Sequence, residues 1–304
     1  MCIRDCIVPW VVAMLGFGQG VFARGRSSLT EPYVAGHLLL CAHAAAVDVY
    51  RTNFQPGQKG QIGISNNCDW REPVSSNQKD VEAAQRALQF FLGWFADPIY
   101  HGDYPAVMRQ HLGNRLPVFS DTEKEKLKNS SDFFGLNHYN TMLAGHADGP
   151  IPESDVFGNG GISQDQDVIL SRDDSWDQTE MQWNIVPWGC RKLLEWIHAR
   201  YNGPRIILTE NGCAFADQIE NGCIHDTDRI NFLKDYLTEC HGAILNGVKL
   251  GGYFVWSFMD NFEWALGFSK RFGIHYVDFK TQKRIPKASA GWFAEVIRNN
   301  GLES

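Results

Sequence analysis

The stretch RIILTENG, residues 205–212, runs five strand-forming residues into a carboxylate, Glu210, followed by Asn-Gly. An acid at the tip of an apolar strand is partly desolvated and held in one direction. Such a group can serve as a nucleophile, a general base or a metal ligand. It can equally be a helix cap or a surface acid, and spacing alone leaves both readings open. Two neighbours in chemistry favour a site. Tyr139 ends the segment DFFGLNHY, where a phenol can hydrogen-bond a carboxylate and hold it. The segment WSFMDNFEWALGFSKRFG, residues 256–273, gathers Trp256, Phe258, Phe262, Trp264 and Phe272 around Glu263. Aromatic faces beside an acid suit a pyranose, whose faces stack and whose hydroxyls donate. A hydrophobic cluster under a loop accounts for the aromatics but not for Glu263.

The elements that position these residues alternate strand and helix. Residues 32–52, 77–98, 187–201, 226–247 and 285–301 carry apolar residues at helical spacing. Asp97-Pro98 is expected to end the second of these, and Pro187 to sit in the first turn of the third. Ser120 with Glu123 three residues on reads as a capping box for a helix over 120–130. Strands are expected over 60–67, 132–139, 205–211 and 250–261. Residues 140–180 are rich in Gly, Asp and Ser and read as a long loop, with room for a hairpin. Apolar strands each followed by a helix argue for a parallel sheet covered on both faces, either an open doubly wound sheet or a barrel. No G-x-G-x-x-G follows an early strand, which weakens a dinucleotide fold. Polar residues collect at strand C-terminal ends, where barrel enzymes keep their chemistry.

Composition narrows the classes. The 304 residues are 44% hydrophobic with net charge −7, which gives no footprint for nucleic acid or an anionic membrane. No apolar run approaches the ~20 residues of a membrane span. Eight cysteines, none in C-x-x-C, read as mostly buried thiols in a reducing compartment, hence a cytoplasmic protein. The adjacent Cys240 and His241 fall inside a helical pattern, so neither zinc nor any other cofactor is expected. His37, His43, His101, His225 and His275 are scattered and read as structural hydrogen-bonders rather than as the ligands of a metal-dependent barrel enzyme.

ILTENG is similar to the nucleophile motif of glycoside hydrolase family 1, retaining β-glucosidases built as (β/α)8 barrels. PWVVAMLGFGQGVFARGR, GHLLLCAHAAAVDVYR, GWFADPIYHGDYP, RLPVFSDTEKEKLKNSSDFFGLNHYNT and WSFMDNFEWALGFSKRFGIHYVDF resemble further landmarks of that family, in the same order. The resemblance implies a role for each matched position. Glu210 would be the nucleophile and Tyr139 the tyrosine that contacts it. Asn137 matches an asparagine of the site, although His138 stands where a tyrosine is usual. Trp183 would flank the leaving group, Trp256 would underlie the glycosyl ring, and Glu263 with Trp264 would bind its outer hydroxyls. Phe272 would line the same pocket. A carboxylate at 263 repels a phosphate, so the implied partner is a small unphosphorylated β-glycoside or oligosaccharide.

One departure is central. Ile7-Val8-Pro9 aligns with the family's Asn-Glu-Pro, whose Glu is the proton donor, and valine has no proton to give. The 202-residue interval from Val8 to Glu210 matches the family, so the alignment is not slipped. MCIRDC, residues 1–6, reads as a non-native scar. Residues 7–304 read as the C-terminal part of a single (β/α)8 domain, an incomplete barrel holding about strands 4/5 to 8. Such a fragment is expected to fold poorly alone and to be impaired as a hydrolase. The alternative is a catalytically inactive relative that binds or signals.

Overall fold

The computed structural model describes residues 8–20, 25–149, 151, 161–217 and 219–302. The chain forms two compact units.

The first unit comprises the described residues up to Asn137, together with Met142–Asp173 and Pro204–Ile207. Strand β1 (Ile64–Asn67) pairs in parallel with β3 (Phe134–Asn137), Asn67 opposite Asn137. The Phe134 amide donates to the Arg205 carbonyl, just before β6 (Ile206–Asn211) begins. Residues 140–180 hold an antiparallel strand pair, in keeping with the room left there for a hairpin. Here β4 (Thr141–His146) pairs antiparallel with β5 (Val168–Ser171), and the short strand β2 (Trp70–Pro73) joins their sheet on the β4 side. The helix Gln78–Leu88 covers this sheet, and Ala83, Ala84 and Ala87 pack on Met142, Ala144, Val168 and Leu170. The small alanines let helix and sheet approach closely, which a Gly/Asp/Ser-rich composition had concealed. The Asn77 side chain caps that helix by accepting from the Lys79 amide. The rest of the expected loop lies in part at 150 and 152–160, outside the described residues.

Helix ends follow the chemistry of their caps. The Ser120–Glu123 capping box is formed in both directions and opens Asp121–Leu127. Pro98 does not stop its helix. A π-helical segment, Gln89–Gly93, leads into Trp94–Tyr100, which carries Pro98 inside it and ends two residues later. The missing proline N–H is tolerated in this last turn, where Trp94, Phe95 and Ile99 are fully packed.

The helix Glu31–Asn53 corrects another expectation. By length and composition alone it could cross a membrane. Its buried residues Tyr33, Gly36, Leu40, Ala44 and Val47 recur at three-to-four spacing. That is the stripe of a helix packed on one side. Gly36 is required there, because a Cβ would lie 2.6 Å from the Trp94 ring.

The second unit comprises His138–Thr141, Asp174–Gly203 and the described residues from Leu208 onward. It contains the end of β6, strand β7 (Leu250–Val255) and the helices Pro187–Arg200, Thr227–Leu245 and Ala288–Asn299. The Trp256 amide donates to the Asn211 carbonyl, tying the end of β7 to that of β6. The strand expected over 250–261 stops at Val255, and the rest enters a long loop. A small antiparallel pair, β8 (His275–Val277) with β9 (Arg284–Pro286), follows. Residues 285–286, expected to begin the last helix, are thus strand, and the helix Ala288–Asn299 starts after Lys287 with no side-chain cap.

Candidate active site

The β6 strand explains where Glu210 sits. Ile206, Ile207 and Leu208 are fully buried, so the strand cannot turn its faces to water, and Glu210 is carried with it to a 9% exposed position. The Tyr139 hydroxyl donates to Glu210 Oε2 at 2.7 Å. The main chain is fixed beside it, since the His138 amide donates to the Glu210 carbonyl. Asn211, which sequence reasoning passed over, braces the same corner. Its amide donates to the His138 carbonyl at 2.7 Å, and its Oδ1 accepts from the Tyr253 hydroxyl at 2.6 Å. The signal lay in plain view as the polar residue after the acid.

Gly212 completes the Asn-Gly puzzle. A Cβ there would fall 1.8 Å from the Trp256 carbonyl oxygen. Only a residue without a side chain lets the two strand ends approach this closely.

Three aromatic rings pack together, one of them the Tyr139 ring bonded to the carboxylate. Tyr139 and Trp183 have centroids 5.1 Å apart, Trp183 and Phe272 5.9 Å, and Tyr139 meets Phe272 edge-on at 6.3 Å. Trp183 is delivered by a turn in which Thr179 donates to its carbonyl. Asn184 pins that turn, its backbone amide donating to Asn140 Oδ1 and its side-chain amide to the Thr141 carbonyl, both at 2.9 Å. Phe272 is 1% exposed, so it is a wall rather than a surface ring.

Glu263 is also buried, at 6% exposure. Burial pushes its carboxyl up to about 7, against the hydrogen bond from Trp256, and the Glu210 charge adds to the rise. The two acids are therefore within electrostatic reach. Among the described residues Glu263 Oε2 has no hydrogen-bond partner, an acceptor left open in a buried place. Its backbone closes a tight loop, donating to the Gly267 carbonyl while accepting from Leu266. Trp264 follows at φ +41°, the left-handed region that bulky residues avoid, with its side chain about half exposed.

Two aromatics expected around Glu263 face solvent. Phe258 and Phe262 are both 63% exposed, the first against His275 at 4.5 Å and the second edge-on to Phe268 at 5.1 Å. Only Trp256 and Phe272 of the set turn inward. Asn137 ends β3 in the first unit, 1% exposed, its carbonyl accepting from the Cys68 amide. His138, in the usual tyrosine position, is fully buried, with its ring 6.1 Å from Tyr236.

Beneath the loop 256–273 lies an ionic cluster that sequence reasoning missed. Asp260, buried, accepts from the Gly273 and Val277 amides, from Arg271 Nη1 at 2.7 Å and from Lys287 Nζ at 3.3 Å. Lys287 also pairs with Asp217, and Arg229 joins Asp226 to the Arg271 carbonyl. Asp226 in turn accepts from the Ser289 amide and hydroxyl. An acid inside an aromatic run, as at Asp260, is the signal that could have found it.

A buried carboxylate gripped by a phenol, a second acid and a ring wall is a constellation for glycosyl chemistry, and comparison with known proteins decides the family. The model of glycosyl hydrolase family 1 matches residues 7–302. The chain belongs to that family. It is 43% identical to rice β-glucosidase 4, over 97% of this chain and 62% of the relative. A rice β-glucosidase mutant solved in a covalent complex with glucose is 40% identical, with a TM-score of 0.85, over 94% of this chain and 64% of that one. The Thermotoga maritima β-glucosidase solved with deoxynojirimycin gives 40% identity and a TM-score of 0.85, over 97% of this chain and 63% of that one. The chain spans about three-fifths of the length of the curated β-glucosidases it matches. These neighbours support the α/β architecture.

Proposed function

We propose that Glu210 attacks the anomeric carbon of a terminal, unphosphorylated β-glycoside and carries the glycosyl group as a covalent ester until water releases it with retained configuration. The observation that carries this reading is the Tyr139 hydrogen bond to a buried Glu210. It fixes the direction in which the carboxylate points. Trp183, Trp256 and Phe272 offer apolar surfaces to the sugar and its leaving group, and the open acceptor on Glu263 awaits a hydroxyl donor. The corresponding architecture is an incomplete (β/α)8 barrel, to which the parallel pair of β1 and β3 would belong. A relative observed covalently bound to glucose supports the ester, and one bound to deoxynojirimycin supports a small sugar-like ligand.

Val8 limits the chemistry. With no proton donor at that position, the departing oxygen must leave as its anion, and loss of a general acid costs about 10²–10⁴-fold. Aryl glycosides with weakly basic leaving groups are thus the expected substrates of this chain. Val8 also favours a second reading, a sugar-binding domain that does not hydrolyse.

Mass spectrometry after incubation with an activated 2-deoxy-2-fluoro-β-glucoside separates the two. An adduct on the peptide bearing Glu210 is expected, absent in Glu210→Gln. Folded protein that binds deoxynojirimycin yet takes no adduct would establish the binding reading instead. Folded protein that does neither would refute both.

A further inference from the structure

The first unit brings together three donors that no sequence spacing connected. His37 and Cys41 stand four residues apart in the helix Glu31–Asn53 and so share one face. Glu123, in the first turn of Asp121–Leu127, comes to them from 82 residues further on. One ligand atom from each lies within 4.8 Å of the others, and all three side chains are half-buried. We propose that His37, Cys41 and Glu123 form a binding site for one divalent transition-metal ion of the zinc type, with water in the remaining position.

The donor set is the argument. Imidazole nitrogen, thiolate sulfur and a carboxylate oxygen together select zinc-like ions over magnesium or calcium, which take oxygen alone. Zinc bonds of about 2.0–2.3 Å place neighbouring donors roughly 3.3–3.8 Å apart, so closure asks each side chain to move by less than about 1 Å. The orientation is already set. His37 Nδ1 lies 3.0 Å from the Tyr104 hydroxyl and its ring stacks on Phe119 at 4.4 Å. Such outer partners orient ligating histidines. Glu123 divides its labour: Oε2 accepts from the Ser120 amide and hydroxyl, while Oε1 faces Cys41 Sγ at 3.6 Å. The nearby Arg109 guanidinium is engaged by the Leu116 and Pro117 carbonyls and claims none of the three donors. Burial, with Glu123 adding to it, pushes the Cys41 thiol up to about 11. The thiol therefore enters with its proton, and each ion bound releases one proton to solvent as the metal–sulfur bond forms.

Cobalt(II) titration of the whole chain under reducing conditions tests the site. A thiolate-to-cobalt absorption saturating at one ion per chain is expected, bleached by zinc and abolished in Cys41→Ser. Glu123→Gln keeps the capping box, because glutamine serves at that position. It is expected to weaken zinc binding at least tenfold with unchanged circular dichroism. No thiolate band in the wild type, or a band undiminished in folded Cys41→Ser, overturns the site. Should Cys41→Ser fail to fold, unchanged zinc affinity in folded Glu123→Gln overturns it as well.

Discussion

The phenol of Tyr139 and the carboxylate of Glu210 act as one unit. A hydrogen bond to a charged group contributes roughly 1.5–3 kcal/mol. Tyr139→Phe is therefore expected to slow adduct formation on Glu210 by about 10–100-fold while the fold persists, as stopped-flow release of an aryl leaving group would measure. Val8→Glu should raise turnover of unactivated glycosides by at least about 10²-fold and leave activated ones nearly unchanged, since only the former need a proton. Glu263 sets a pH dependence whose sign follows from its raised carboxyl. The folded protein holds this proton up to about pH 7 and the unfolded chain releases it near the ordinary carboxylate value, so stability falls as pH rises between the two. The charged form accepts sugar hydroxyls more strongly, so affinity for a neutral glycoside should tighten as pH rises through 7. Calorimetric titrations at pH 5.5 and 8.5 should show both trends, and Glu263→Gln should flatten them. At this scale the sequence was legible where chemistry is local. The acid at a strand tip marked Glu210, and the aromatic segment marked Glu263 and Phe272. It did not show that Phe258 and Phe262 are exposed, because a loop's turns decide which of five rings face inward and residue type does not.

The elements show why the strand ends are where they are. The 1.8 Å approach at position 212 means that Gly212→Ala must push β6 away from β7. Such overpacking typically costs about 1–3 kcal/mol. It should lower the melting temperature and also reduce reaction at Glu210, two residues away. The loop 256–273 depends on Asp260 in the same way. Removing one partner of a buried ion pair costs about 3–5 kcal/mol, because the other is left uncompensated. Asp260→Ala is accordingly expected to abolish hydrogen-exchange protection at the Gly273 and Val277 amides and to loosen sugar binding at Glu263, while amides of β6 stay protected. Helices were read well from periodicity, and the capping box at Ser120 was read to the residue. The sheet of β2, β4 and β5 was legible only as room for a hairpin within 140–180, because its strands are short and β2, Trp70–Pro73, has no alternating pattern. Pro98 misled for a related reason. A proline near the end of a tightly packed helix removes one bond that the packing can spare.

At the scale of the whole molecule, the second unit leaves large apolar groups uncovered. Leu245 is 73% exposed, Ile297 66%, Ile244 45% and Phe254 41%, on two helices and β7. Contiguous exposed apolar surface marks association sites or aggregation hazards. The 304-residue chain is expected to self-associate as concentration rises, in sedimentation velocity, and a monomer throughout the micromolar range would contradict this. None of that was visible in composition, where 44% hydrophobic content is ordinary. The cluster under the loop 256–273 points the other way, toward resilience. Its three acids, Asp217, Asp226 and Asp260, face three cations, Arg229, Arg271 and Lys287, so its formal charges cancel. Dissolved ions screen solvated pairs such as Lys79–Asp148 but barely reach buried ones. Brine should thus strip the protein of its surface attractions and leave the architecture beneath Glu263 intact, a property suited to work at high ionic strength.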